Sequence, residues 1–371
     1  MKICCYTDTF FPIVGGAEMV LHNLSNQLSH FGDEVHIFAP RFKGVSPEVE
    51  SSYHVHRYPN PFSKRYLVRK VLLPLAWLHL RHHFDILHCH SGYPPGYVGI
   101  TFKKWFKVPV LVRPHGSDIV PGDRIRRYPK LTERLKFALR SADAVVAQGQ
   151  YLKELILTLG VDSSKVHIIH NGVNLNDFAG KEPFSHPRPY ILALGNLIFR
   201  KGFDILLHAY SSVAEPKPDL LIAGPGREEK MLKALAKEMG IEHQVKFIGF
   251  IDGQKKINLF RSAEFFICPS RKEPFANVLI EAMSAGLPVI ASSIDGNKEL
   301  IIHEKNGLLF PSENSEALKT AMERLISEDG LADRMRSVLP GYVKEFDWPI
   351  VARKYRELYA ALVGASSRNL S

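Results

Sequence analysis

The chain has 371 residues, 45% of them hydrophobic and 23% charged, with no low-complexity or collagen-like tract; this excludes a disordered or fibrous protein and points to two globular domains of moderate size. The opening MKICCYTDTF lacks the basic, apolar and small-residue order of an export signal, and the most apolar window, VLLPLAWLHL, is short and broken by Pro74, so the expectation is a cytoplasmic protein. The net charge of +10 is concentrated, with 17 Lys or Arg against four acids between Ser51 and Arg140, a region able to attract anionic lipid, nucleic acid or a negatively charged substrate, or to act only as a solvated surface.

Short runs rich in Val, Ile and Leu alternate with helical patterns along nearly the whole chain, as buried parallel strands with crossover helices do. In the first half the strands are expected at KICCYT, EVHIFAP, DILHCH, PVLVRP, AVVAQ and VHIIHN. A helix from Gly16 to Phe31 follows the first of them, with Val20, Leu21, Leu24, Leu28 and Phe31 on one face and Gly32 as its stop. Cys4, Cys5, Cys89 and Cys268 lie in strand-like runs without the spacing of a zinc site or a disulfide framework, and read as reduced core residues. AGKEPFSHPRPY, with Gly180, Pro183, Pro187 and Pro189, reads as an interdomain linker. The pattern restarts with YILALGN, DLLIAG, VKFIGF, EFFICPS, PVIAS and GLLF. A last segment, from about Asp347 to Val363, carries Val351, Tyr355, Leu358, Tyr359 and Leu362 at helical spacing and must cover something apolar. The expected fold is α/β, two doubly wound domains that bind ligands at the carboxyl ends of their strands.

In SRKEPFANVLIEAMSAGLPVIAS, the loop RKEPF leaves a strand and ANVLIEAMSAG forms a helix ended by Gly286. The first turn, near Phe275, Ala276 and Asn277, presents backbone N–H groups that suit a phosphate. Glu273 precedes the helix, while Glu281 lies more than a turn inside it, where a carboxylate needs donors such as a pair of hydroxyls. Two carboxylates beside a phosphate site suggest a ligand with hydroxyls at both ends and phosphate between, the shape of a nucleotide sugar. Taken alone, the two glutamates are better described as a loop charge and a solvent-facing helix residue, since charged side chains usually lie on solvated faces.

Companion motifs favour the ligand. Gly15 and Gly16, between the first strand and its helix, let a phosphate approach the backbone. Arg200 and Lys201 in LGNLIFRKGFDILLHA can neutralise a diphosphate leaving group. His115 in VRPHGSDI follows a strand and can face a sugar, although a lone histidine there is as readily structural. Neither the Gly15–Gly16 turn nor AGPGREE completes the three-glycine dinucleotide pattern, which argues against a nicotinamide enzyme. No Asp-x-Asp or histidine cluster offers a metal site to bridge the phosphates, so no metal cofactor is expected.

The pieces PIVGGAE, RPHGSD, HNGVNLNDF, GNLIFRKG, CPSRKEPFANVLIEAMSAGLPVIAS, DGNKELI and NGLLF cover nearly the whole chain and together resemble the family 4 retaining glycosyltransferases. The resemblance implies the GT-B architecture, two facing Rossmann-like domains with a cleft between them. Residues 1–182 would bind the acceptor and residues 183–346 the nucleotide sugar, with the final helix, about 347–365, crossing back to the first domain. Three residues would be catalytic, namely His115 near the reacting carbon, Glu273 on the transferred sugar and Lys201 on the diphosphate. Gly15, Gly16, Arg200 and the backbone of Pro274, Phe275, Ala276 and Asn277 would join Lys201 around the diphosphate. Glu281 would take the ribose hydroxyls, and Phe250 and Ile251 would border the base. In one departure, Asn196 stands where the family usually has a diphosphate-binding arginine, so either Arg200 substitutes or donor binding is weaker.

The resemblance further implies a metal-independent front-face substitution, in which the leaving phosphate helps deprotonate the acceptor. The partners would be a nucleoside-diphosphate sugar and a glycan or lipid-linked acceptor of envelope polysaccharide or glycolipid synthesis. Family frequency favours a uridine donor, with GDP-mannose next. A nucleotide-sugar epimerase of the same architecture, a nucleotide-sugar binder without catalysis and a nucleic-acid or membrane binder are the alternatives; no recognisable nucleic-acid motif accompanies the basic region. FSKRYLVRKVLLPLAWLHLRHH, residues 62–83, mixes Lys64, Arg65, Arg69, Lys70 and Arg81 with Leu67, Val68, Leu72, Leu75, Trp77 and Leu78. It has the composition either of a helix lying on an anionic membrane face or of a core helix with basic ends reaching water.

Overall fold

Side chains alternate across a pleated strand, so a strand buried on both faces can be apolar throughout. In KICCYT, Ile3 and Cys5 enter one core while Cys4 and Tyr6 enter another. The computed structural model describes residues 1–13, 15–42, 51–59, 67–123, 125–180 and 182–368. The chain divides into two units, Met1–Gly172 with Trp348–Ser371, and Val173–Asp347.

The first unit runs β1 (Lys2–Thr7), α1 (Gly16–His30), β2 (Glu34–Arg41), β3 (His54–Pro59), α2 (Leu67–His82), β4 (Ile86–His90), α3 (Tyr97–Phe106), β5 (Val110–Arg113), α4 (Pro129–Ser141), β6 (Ala144–Ala147), α5 (Gln150–Leu157) and β7 (Val166–Ile168). The strands form a parallel sheet in the order β3-β2-β1-β4-β5-β6-β7. The second unit runs β8 (Tyr190–Leu194), α6 (Phe203–Ser211), β9 (Asp219–Ala223), α7 (Glu229–Glu238), β10 (Val245–Gly249), α8 (Gly253–Arg261), β11 (Phe266–Cys268), α9 (Asn277–Ser284), β12 (Val289–Ser292), α10 (Asp295–Lys298), β13 (Leu308–Phe310), α11 (Ser315–Ser327) and α12 (Leu331–Val343). Its sheet is parallel in the order β10-β9-β8-β11-β12-β13. Each sheet reverses its winding once, between β1 and β4 and between β8 and β11. The expected α/β fold of two doubly wound sheets is present in both units.

Two expectations need correction. The chain passes from one unit to the other at Gly172 and Val173, not within the proline-rich stretch after Ala179. Val173 is buried in the second unit's core, its N–H donates to the Phe346 carbonyl at 2.8 Å, and Leu175 and Phe178 pack against the same core. The supposed linker is seated on that unit too, with the Phe184 N–H on Ser262 Oγ at 2.8 Å and His186 paired with Asp219 at 2.9 Å. The sequence reading also omits β3, whose histidines dilute the apolar signal.

The amphipathic C-terminal segment is α13 (Trp348–Arg368), part of the first unit. Trp348, Val351, Ala352, Tyr355 and Tyr359 are buried with α1 over one sheet face, and Leu358 and Leu362 pack beside them. Gly172 makes room for Trp348, since a Cβ there would stand 2.4 Å from the indole.

Of residues 62–83, residues 62–66 lie outside the described residues, as do the side chains of Leu67 and Arg69. The rest forms α2. Leu72, Leu75 and Leu78 are buried in the core, as the core-helix alternative has it, and share the sheet-facing side of the helix. The exposed positions are Leu73 at 64%, Trp77 at 61% and Leu80 at 62%. Among the described residues, no helix is long and apolar enough to cross a membrane.

Replacing Trp348 by Ala should cost the first unit about 3–5 kcal/mol, the range for deleting a buried aromatic side chain. Urea unfolding should show this as a lower midpoint with an unchanged slope; an unmoved midpoint would mean that α13 is not a structural part of the unit.

Candidate functional site

Where an open parallel sheet reverses its winding, the loops leaving two adjacent strands diverge and leave a crevice beyond their carboxyl ends. In the second unit those strands are β8 and β11, and their loops carry Lys201 and Glu273. Lys201 Nζ donates to Glu273 Oε2, with side-chain exposures of only 17% and 11%. Burial works against the ammonium, but the attraction and hydrogen bond of Glu273 outweigh it and raise the Lys201 pKa. The site therefore holds a cation at neutral pH beside an acceptor-rich carboxylate.

The two loops are locked together by contacts distant in sequence. Gly202 has φ 68°, and a Cβ there would come 2.1 Å from the Pro269 carbonyl oxygen. The Arg271 N–H donates to the Arg200 carbonyl at 2.9 Å. The Arg271 guanidinium grips Asp204 with two bonds of 2.8 and 2.7 Å, donates to the Phe199 carbonyl at 2.8 Å and lies 4.0 Å over the Phe199 ring. On the far side, Gly296 of DGNKELI packs so tightly under the Glu273 carbonyl that a Cβ would meet it at 1.9 Å.

Pro274, Phe275 and Ala276 are buried, and α9 begins at Asn277, where the N-cap residue Ala276 supplies no side-chain capping bond. Its dipole favours negative charge there. Glu281, a turn further on, accepts from Lys256 Nζ at 2.7 Å, so the acid expected to await hydroxyls already has a cationic neighbour on α8. Arg200 is half-buried and Asn196 exposed. Phe250, at the end of β10, is 62% exposed, while Ile251 packs on the core. The structure thus brings Lys201, Glu273 and the Arg200 backbone together and sets Phe250 two strands away from β8. Arg271, Asp204 and Lys256 escaped the sequence reading, since their pairings span 67 and 25 residues and no local pattern marks them.

In the first unit the reversal lies between β1 and β4. Gly15 precedes α1 in extended conformation, and a Cβ on it would stand 2.7 Å from Glu18 Oε2. A carboxylate thus lies beside Gly15 at the amino end expected to receive a phosphate.

His115 follows β5 and is far from isolated. Buried Arg113 donates to His115 Nδ1 at 2.8 Å, to the Tyr355 hydroxyl at 2.8 Å and to Asn171 Oδ1. A guanidinium can only donate, so the neutral imidazole accepts at Nδ1 and keeps its proton on Nε2. Burial first, then Arg113 and His88, push the His115 pKa well below the usual histidine value. Asp118 of the same motif accepts from the Gly92 N–H at 2.6 Å, Ser91 Oγ at 3.1 Å and the His115 N–H at 3.0 Å, pinning the loops after β4 and β5 to each other. RPHGSD thus comprises a buried anchor, a polarised ring and a pin.

Residues 176–338 match the family described as Glycosyl transferases group 1, and residues 14–177 match Glycosyltransferase Family 4. An uncharacterized glycosyltransferase of Methanocaldococcus jannaschii is 26% identical over 97% of this chain and 98% of its own. The phosphatidyl-myo-inositol mannosyltransferase of Mycobacterium leprae is 27% identical over 99% of this chain and 97% of its own. The crystal structure of Anabaena HepE in complex with UDP shares the fold, with a TM-score of 0.80 at 20% identity, covering 97% of this chain and 100% of that one.

His88 and His90 lie fully buried behind His115, and burial first and neighbouring cationic groups second drive both pKa values well down. In the unfolded chain they titrate near about 6.5. Below that pH the unfolded state binds more protons, so each should cost the folded first unit about 1.4 kcal/mol per pH unit until its folded pKa is reached. Urea midpoints should fall steadily between pH 7 and pH 5; a flat profile would mean that these rings are charged in the folded protein.

Proposed function

Because the chain belongs to the family 4, group 1 glycosyltransferases, we propose that it transfers a hexose, with retained configuration, from a nucleoside-diphosphate sugar to a glycan or lipid-linked acceptor. The observation that carries this reading is the partly buried Lys201–Glu273 pair at the second sheet's reversal point, beside the amino end of α9. When a diphosphate enters, the Lys201 ammonium has a second anion to serve, and Glu273 gains a free oxygen for sugar hydroxyls. As the bond to the anomeric carbon breaks, charge grows on the departing diphosphate, where a fixed cation and a helix dipole stabilise it without reorganising. This takes the diphosphate charge onto protein groups and requires no metal for that purpose.

His115 supports the retaining course. With Nδ1 engaged by Arg113, the ring offers an Nε2–H donor, suited to a sugar hydroxyl and unsuited to removing a proton. This is in keeping with the front-face substitution that the family resemblance implies, in which an oxygen of the leaving phosphate takes the acceptor proton. In this reading Glu281 takes the ribose hydroxyls while sharing Lys256, and Phe250 borders the base. A uridine donor is favoured, in keeping with the UDP bound to HepE, and GDP-mannose is next, in keeping with the mannosyltransferase relative. That relative's phosphatidyl-myo-inositol also favours a lipid-linked acceptor.

The outer face of α2 fits such an acceptor. Lys70, Leu73, Trp77, Leu80 and Arg81 share the exposed side of the helix, with the Arg81 guanidinium 5.6 Å from the Trp77 ring. Apolar side chains, an interfacial aromatic and flanking cations form the pattern of a helix lying on an anionic membrane surface.

In a donor screen over UDP- and GDP-sugars, Lys201→Ala should lower kcat by roughly 100- to 1,000-fold, the cost of losing one preorganised charge partner; Glu281→Ala should act mainly on donor KM. Unchanged turnover in both variants would remove the site from the reaction. Flotation with anionic vesicles should recover the wild type, and Leu73→Ser with Trp77→Ser should cut the recovery several-fold. Equal recovery of both proteins would remove α2 as the contact.

A further inference from the structure

Away from the loops of the sheet reversal, three histidines converge at the edge of the first sheet. His36 of β2, His56 of β3 and His82 at the last position of α2 each offer one ligand atom, all within 4.8 Å of one another. Parallel pairing sets His36 opposite His54, and His56 follows two residues on, so these rings leave the sheet on the same face. α2 returns His82 to them, giving ring centroids 4.5 Å apart for His36 and His82, 5.2 Å for His36 and His56, and 5.4 Å for His56 and His82.

Glu34 decides what the group can do. Its Oε1 stands 2.8 Å from His36 Nε2 and accepts that N–H, which turns the Nδ1 lone pair toward His56 Nε2, 2.9 Å away. A carboxylate behind an imidazole is the arrangement that orients a histidine ligand and strengthens its basicity. Three nitrogen donors suit zinc and its first-row neighbours and do not suit calcium or magnesium. We propose that His36, His56 and His82 bind one divalent transition-metal ion of the zinc class, with Glu34 as the outer partner of His36 and a fourth position open to water.

The donors are nearly in place, since His36 Nδ1 and His56 Nε2 already stand 2.9 Å apart, and His56 needs only to move its proton from Nε2 to Nδ1 to free the lone pair. The nearby cations are directed elsewhere, Lys2 to Glu34 Oε2 at 3.7 Å and Arg81 over Trp77. An ion here joins the carboxyl end of α2 to β2 and β3, a structural role separate from the proposed metal-free sugar transfer.

Chelator-stripped full-length protein, titrated with Zn²⁺ against a chromophoric competitor, should bind one equivalent at this site. His56→Ala and His82→Ala should each weaken it at least tenfold, and Glu34→Gln by about 10- to 100-fold, as loss of an outer partner does. Cys5, His88 and His90 form a second group close enough to hold an ion; Cys5→Ser should leave the affinity unchanged, and the Co²⁺ form should absorb without a thiolate charge-transfer band. Both histidines are only half-buried, and circular dichroism verifies that the variants fold; if one does not, the Co²⁺ spectrum of the wild type decides. Wild-type affinity in both histidine variants, failure of the wild type to bind, or a thiolate band abolished by Cys5→Ser would each overturn the assignment.

Discussion

A charge withdrawn from water is costly unless its donors and acceptors are met, and that constraint organises the candidate site of the second unit. Lys201 and Glu273 satisfy each other, and the loops that present them are tied by Arg271, Asp204 and the Arg200 carbonyl. Glycines at 202 and 296 permit backbone approaches that any side chain would block. The pair stores no finished active site; it keeps a cation and a carboxylate preorganised where the sheet leaves a crevice.

The first unit meets the analogous problem with a different cation. Arg113 donates to neutral acceptors, namely His115 Nδ1, the Tyr355 hydroxyl and Asn171. One consequence is a histidine held neutral with a defined tautomer. Another is that α13, by supplying Tyr355, reaches the residue that sets the state of His115. The C-terminal helix thus does more than cover an apolar face.

α2 shows how one element serves two surfaces. Its inner side fills the core, its outer side presents Leu73, Trp77 and Leu80 between cations, and its last residue completes a histidine group with the edge strands. Ordinary helical periodicity separates these tasks, because residues three and four apart share a face while their neighbours do not.

Much was legible in the amino-acid order alone. Apolar runs and glycine stops located twelve of the strands and the terminal helix, because burial on both faces leaves a local record; β3 was lost because histidine replaces its aliphatic residues. The loops carrying Lys201, Glu273 and His115 were marked by their places after strands. What the order could not reveal were the partners of these residues. Arg271 with Asp204, Lys256 with Glu281, Glu18 over Gly15, Arg113 with Tyr355 and the three converging histidines all join segments that only the folded sheets and helices bring together. Composition and periodicity are properties of neighbouring residues, whereas charge pairing and ligand geometry depend on distances in space. The sequence by itself determined the two doubly wound sheets and the loops at their carboxyl ends; the tertiary structure alone decided which charges meet, which tautomer His115 holds and which face of α2 is left to solvent.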